Sequence, residues 1–166
     1  MNTVLVVEDS PSQRECISNQ LQWSGLNVIQ ACDGIEAFEK IQRHNPDLVL
    51  LDIVMPRMDG YGFCRLLKAN PKTRNIPVVF LTAKIQEFDF KWGLKNAEAY
   101  LGKPWHPREL INTIKRLILN NNNRVGASAD AWTKYGILLI NMIDLYECRA
   151  DAWTKYGRQI TKFYNY

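Results

Sequence analysis

The apolar positions between residues 3 and 119 switch between two spacings. Thr3 to Val7, Leu26 to Ala31, Leu48 to Leu51, Ile76 to Leu81 and Ala99 to Leu101 are short runs of mostly aliphatic residues. Runs this short and this apolar read as strands, and Leu48 to Leu51 reads as one buried on both faces. Between them the apolar residues recur every three or four positions, as helices require: Ile17 and Leu21; Ala37, Phe38 and Ile41; Leu110, Ile111, Ile114, Leu117 and Ile118.

The polar residues at the boundaries agree. Ser10-Pro11 opens a first helix, with serine suited to the cap and proline to the first turn, and Gly25 ends it. Asp33-Gly34 opens a second, with Glu36 in capping-box position, and Asn45-Pro46 stops it. A third helix is expected over Tyr61 to Ala69, a fourth over Ile85 to Asn96 and a last over Pro107 to Leu119.

Strands that alternate with helices predict an α/β domain whose parallel sheet is covered on both faces. Right-handed crossovers leave few topologies, and the doubly wound order 2-1-3-4-5 is expected. Such a sheet carries its site where the winding reverses, outside the carboxyl ends of strands 1 and 3. The polar groups fall there. Strand 1 ends on Glu8-Asp9, strand 3 on Asp52, strand 4 on Thr82, and strand 5 near Lys103. Strand 2 ends blandly on Ala31-Cys32.

Three crowded carboxylates repel one another, so a cation must offset them. Lys103 offers one charge, and a hard, oxygen-seeking Mg²⁺ ion would offer two. A carboxylate set beside a divalent ion and an ammonium is arranged to attack phosphorus. Asp52 is therefore expected as a nucleophile on a rigid support, with the Thr82 hydroxyl as a further donor. Taken singly these residues are unremarkable. Asp9-Ser10-Pro11 reads as a helix cap, Asp59-Gly60 as turn chemistry, and His44 and His106 as exposed helix-end residues without partners at metal spacing. Trp92 and Trp105 read as packing or interface residues.

The motifs "VVEDS", "LLDIVMPRMDG", "FLTAK" and "YLGKPW" together resemble the response-regulator receiver domains of the CheY-like family, over residues 1 to about 120. The resemblance implies a five-stranded flavodoxin-like fold and the phosphorylation of Asp52 by a histidine kinase. It implies Mg²⁺ held by Glu8, Asp9, Asp52 and the Val54 carbonyl, Lys103 on the phosphoryl group, Thr82 as switch hydroxyl and Tyr100 as switch aromatic. The Lys103-Pro104 bond is cis in that family. The Trp-Gly in "TAKIQEFDFKWGLKNAEAYLGKP" resembles the PilH-like receivers of chemotaxis-type systems that control type IV pili. "LKNAEAY" is one residue shorter than usual in such receivers and lacks their glycine, and Gly102 replaces a bulkier residue.

Composition narrows the field further. A net charge of +4, without a run of five basic residues, is too mild to call for nucleic acid, so no DNA contact is expected. Cys16, Cys32, Cys64 and Cys148 show no CxxC spacing and read as buried free thiols of a reducing cytosol. Met1-Asn2-Thr3 leads straight into a strand, so neither a secretory signal nor membrane insertion is expected, and the chain reads as cytoplasmic.

Asn120 to Asn123 read as a polar linker between the receiver, residues 1–120, and an extension, residues 121–166. Beyond it "ADAWTKYG" occurs at 129–136 and again at 150–157, and apolar positions from Trp132 follow a coiled-coil seam. Gly136 and Gly157 argue against one straight helix. A helical appendage that covers the receiver or makes a homodimer, and a segment that docks a downstream protein, both fit.

Three rivals stand beside the phosphorylation switch. A phosphohydrolase with an aspartyl-phosphate intermediate usually needs an acid two residues beyond the nucleophile, where this chain has Val54. A flavodoxin-like electron carrier needs a phosphate loop where Glu8-Asp9 would repel phosphate. An unphosphorylated structural adaptor is the third.

Overall fold

The computed structural model describes residues 1–83 and 97–131, with side chains through Asn123. The expected helix over Ile85 to Asn96, with Lys84 and Trp92, lies outside the described residues. So do Cys148 and everything from Trp132 on.

Five strands form one sheet: β1 (Thr3–Val7), β2 (Asn27–Ala31), β3 (Leu48–Asp52), β4 (Val78–Thr82) and β5 (Ala99–Gly102). Their order is β2-β1-β3-β4-β5, and every pairing is parallel. The described helices are α1 (Pro11–Trp23), α2 (Gly34–His44), α3 (Gly60–Ala69) and α4 (Pro107–Ala131). This is the α/β topology that the alternation of spacings predicts.

Side chains alternate across the sheet, as strand geometry demands. Leu5, Val7, Val49, Leu51, Val78 and Phe80 pack with Phe38, Ile41, Phe63 and Leu67 under α2 and α3. Val4, Val6, Leu48, Leu50, Val79 and Leu81 pack with Ile17, Leu21, Leu110, Ile114 and Ile118 under α1 and α4. Both faces are covered, so the strands are apolar at consecutive positions rather than at every second one.

The helix ends show which boundary residues act. Asp33 accepts hydrogen bonds from the Ile35 and Glu36 N–H groups, and Asp59 accepts one from Gly62. Asn45 ends α2 in the left-handed region (φ 43°) and Gly25 follows α1 there too (φ 86°). Ser10 departs from expectation. It stands at the cap position of α1, but its side chain makes no capping bond; its hydroxyl lies 3.2 Å from that of Ser12. Glu36 also departs from the capping box. Its carboxylate takes the N–H of Cys32 (2.7 Å), one residue before the cap.

Two further expectations are corrected. The four asparagines at 120–123 do not interrupt the chain: α4 runs through them to Ala131. Asparagine is a weak helix former rather than a breaker, and a helix already anchored on the sheet carries such residues at little cost. The cysteines are not uniformly buried either. Cys64 is, but Cys32 is half-buried and Cys16 is exposed on α1.

Candidate functional site

The polar residues expected at the strand tips come together at one end of the sheet. Glu8 follows the last residue of β1, and its N–H still bonds the Ala31 carbonyl of β2 at 3.1 Å. Asp52 is the last residue of β3. Both are buried, Glu8 to 2% exposure and Asp52 to 7%, whereas Asp9 is exposed. One carboxylate oxygen from each of Glu8, Asp9 and Asp52 lies within 4.8 Å of the others.

Lys103 joins them from the far edge. It follows β5, and its N–H donates to the Thr82 carbonyl at 2.8 Å, which prolongs the β4–β5 ladder by one bond. Its ammonium donates to Asp52 Oδ2 at 2.6 Å and to Glu8 Oε2 at 2.7 Å. The bond from Lys103 to Pro104 is cis. Asp52 Oδ1 accepts the Val54 N–H at 3.2 Å, and Val54 itself is 62% exposed.

The electrostatics follow from burial. Loss of solvent pushes the Glu8 carboxyl above its ordinary 4.5, and the Asp52 charge adds to this; the bond and charge of Lys103 oppose it without cancelling it. Burial alone would lower the Lys103 ammonium, but its hydrogen bonds to Asp52 and Glu8, and their charges, outweigh that and raise it above 10.5. One ammonium cannot balance three carboxylates. The donor set is all hard oxygen within a small span, which fits a divalent ion such as Mg²⁺.

The other two expected residues stand on the neighbouring strands β4 and β5. Thr82 is buried, at the end of β4. It stands two residues beyond Phe80 and so shares that residue's face of the sheet. Tyr100 pairs with Phe80 in the ladder, and their ring centroids are 5.1 Å apart at 35°. The Tyr61 ring also meets Phe80, with centroids 5.2 Å apart at 58°. Tyr100 is thus packed against the α2–α3 side of the core. Gly102 pairs with Thr82, and a Cβ there would meet nothing within 4 Å among the described residues.

Two arginines at this end escaped the sequence reading. Arg57, at φ 67°, pairs through its guanidinium with Asp33 and ties the β3–α3 loop to the cap of α2. Arg14, on α1, donates to the Glu8 carbonyl at 2.6 Å. Only for Arg14 was there a signal, a cation in the first turns of a helix, where the dipole disfavours it. His44 and His106 are exposed helix-end residues, as expected. Trp105 packs against the α1–α4 core and donates its indole N–H to Gln20 at 3.0 Å.

Comparison with known proteins agrees with this geometry. Residues 4–115 match the response regulator receiver domain family. The chain is 38% identical over 113 residues to Protein PilG of Pseudomonas aeruginosa, covering 68% of this chain and 84% of that one. It is 38% identical over 116 residues to the alkaline phosphatase synthesis transcriptional regulatory protein PhoP of Bacillus subtilis, covering 69% of this chain and 48% of that one. The match to a probable transcriptional regulator of Guillardia theta covers 54% of that protein, so the chain spans about half the length of several curated relatives. Among solved structures, chemotaxis protein CheY4 of Vibrio cholerae superposes with a TM-score of 0.67 at 33% identity, over 70% of this chain and 98% of that one. A response regulator from Chloroflexus aurantiacus does so with the same score at 31% identity, over 71% and 98%. With its sheet order, its acid cluster and these matches in agreement, the chain belongs to the response regulator receiver domains of two-component signalling.

Proposed function

We propose that this chain is a Mg²⁺-dependent phosphorylation switch in which Asp52 takes a phosphoryl group from a histidine kinase. The phosphorylated form then changes which protein it engages. The observation that carries this reading is the Lys103 ammonium, shared between Asp52 and Glu8 with the Asp9 carboxylate alongside.

In the transfer, an Asp52 oxygen bonds to phosphorus as the P–N bond to the kinase imidazole breaks, and the imidazole nitrogen keeps that electron pair. Lys103 moves from pairing with the carboxylate to pairing with a phosphoryl oxygen. Glu8, Asp9, Asp52 and the Val54 carbonyl are the proposed ligands of Mg²⁺, whose charge offsets that of the transferring group. Thr82 donates its hydroxyl to the phosphoryl group, and the packing of Tyr100 on Phe80 reports that bond at the surface.

The likeness to PilG supports a place in a chemotaxis-type system, and we assign the chain to the control of type IV pilus motility or taxis, in the cytoplasm. No described helix is long and apolar enough to cross a membrane. We take residues 1–120 as the switch and 121–166 as an extension that makes a homodimer; α4 joins the two without a break as far as Ala131.

Incubation with acetyl phosphate and Mg²⁺, followed by intact mass, tests the reading. One phosphate adduct is expected on the wild-type chain and none on Asp52→Asn. A wild-type chain that stays unmodified would point to an adaptor, and steady turnover of small phosphate esters to a phosphohydrolase.

A further inference from the structure

We infer that Arg14 is a positioning residue that fixes the Glu8 and Asp9 carboxylates for Mg²⁺; this rests on the reading of that acid cluster as the metal site. The ladders of β1 with β2 and β3 end at Val7. Beyond Val7 the carbonyls of Glu8 and Asp9 have left the sheet and need other donors. One nitrogen, Arg14 Nη1, reaches both, the Glu8 carbonyl at 2.6 Å and the Asp9 carbonyl at 3.4 Å. The backbone N–H of Arg14 donates to the Ser10 carbonyl at 2.9 Å, and its own carbonyl accepts the Ser18 hydroxyl at 2.7 Å. The side chain thus holds the Glu8 and Asp9 carbonyls, while the helical backbone bond holds Ser10.

The Glu8 carboxylate itself is met by the Ser10 N–H at 3.2 Å and the Lys103 ammonium at 2.7 Å, while Arg14 holds the backbone that carries it. Ser10 makes no side-chain capping bond, and the first turn of α1 carries no acidic residue. A cation near that helix end is opposed by the dipole, and near a divalent site it opposes the ion as well. Charge alone would therefore select against arginine here. Its bonds to the loop carbonyls supply the offset. The turn they hold keeps two carboxylates within 4.8 Å of Asp52, and outer contacts that orient ligands typically change metal affinity ten- to a hundredfold, roughly.

The test is a calorimetric Mg²⁺ titration of the full chain and of R14M and R14K, with thermal unfolding of each in EDTA. R14M keeps the stem and loses every side-chain donor; R14K keeps an ammonium but not the planar fork of the guanidinium. The expected result is Mg²⁺ binding weakened about tenfold in R14M and partly recovered in R14K, with all three chains unfolding at similar temperatures in EDTA. R14M that binds as tightly as wild type, or more tightly as removal of a charge alone would give, overturns the positioning role. So does an equal loss of affinity in R14M and R14K that follows lowered unfolding temperatures of both in EDTA. Wild-type chain that binds no Mg²⁺ overturns the reading of the site itself and the inference with it.

Discussion

The Lys103 ammonium lies 2.6 Å from Asp52 Oδ2, although β4 stands between the strands that carry them. The Lys103 N–H still pairs with the Thr82 carbonyl of β4, so the side chain starts at the sheet edge and reaches over the tip of β4. It also meets Glu8 beyond β1, at 2.7 Å. One cation therefore spans the carboxyl ends of four adjacent strands.

Removal of that cation should show in stability and in chemistry. Lys103→Met leaves two buried carboxylates facing each other, and breaking a buried pair in this way costs about 3 kcal/mol. The urea midpoint in EDTA should fall accordingly, and saturating Mg²⁺ should restore part of it. Adduct formation from acetyl phosphate should slow roughly a hundredfold, as when a fixed electrostatic donor is removed. Near wild-type labelling by this variant would show that Lys103 is a structural counter-ion only.

Thr82 and Tyr100 share one face of the sheet, and Tyr100 already packs on Phe80. Thr82→Ala should leave Asp52 able to accept phosphate while breaking the link to the tyrosine. Titration with beryllofluoride, followed by NMR, should shift the Phe80 and Tyr100 resonances in the wild type. In the alanine variant those shifts should shrink severalfold while signals near Asp52 still move. Equal shifts in both proteins would remove the hydroxyl from the switch.

Glu36 sets a pH dependence away from the site. Burial opposes its ionisation, but bonds from Lys40, from the Cys32 N–H and from the Cys32 thiol outweigh that and lower its pKa from 4.5 to about 2. The unfolded chain therefore binds more protons than the native one between those values. The contribution of Glu36 is present in full above pH 4.5 and is lost as pH falls toward 2. Its side chain is 36% exposed, so solvent screens part of the effect. Urea midpoints of the wild type should fall more steeply across that window than those of Glu36→Gln, and parallel curves would contradict this.

The strands and the acid cluster were legible because period and strand-tip chemistry are local. A run such as Leu48 to Asp52 announces both its burial and its terminal carboxylate. Contacts made by long, jointed side chains were not. Nothing near Arg57 or Asp33 in the chain says that they pair across two loops, or that Arg57 adopts a positive φ. The asparagines at 120–123 misled because their composition reads as a loop, while the anchored helix before them carries them along. Ser10 looked like a cap, yet its loop is held by a guanidinium four residues on.

Gly60 couples packing to the position of the phosphate acceptor. A Cβ at this residue would lie 2.3 Å from the Asp52 carbonyl oxygen and 2.8 Å from the Ile53 Cα, both backbone atoms that cannot swing aside. The Gly60 N–H donates to the Ile53 carbonyl at 2.9 Å, so α3 starts hard against the end of β3. Gly60→Ala must push α3 away or displace Asp52, and overpacking of this kind costs about 2 kcal/mol. Gly102→Ala is the control, since a Cβ there meets nothing within 4 Å among the described residues. Chemical denaturation should show the loss at Gly60 and almost none at Gly102. Displacement of Asp52 should also lengthen its 2.6 Å contact with Lys103 and slow acetyl phosphate labelling beyond what reduced stability explains. A Gly60→Ala chain that is destabilised but labels at the wild-type rate would mean that α3 yields and the acceptor strand holds its place.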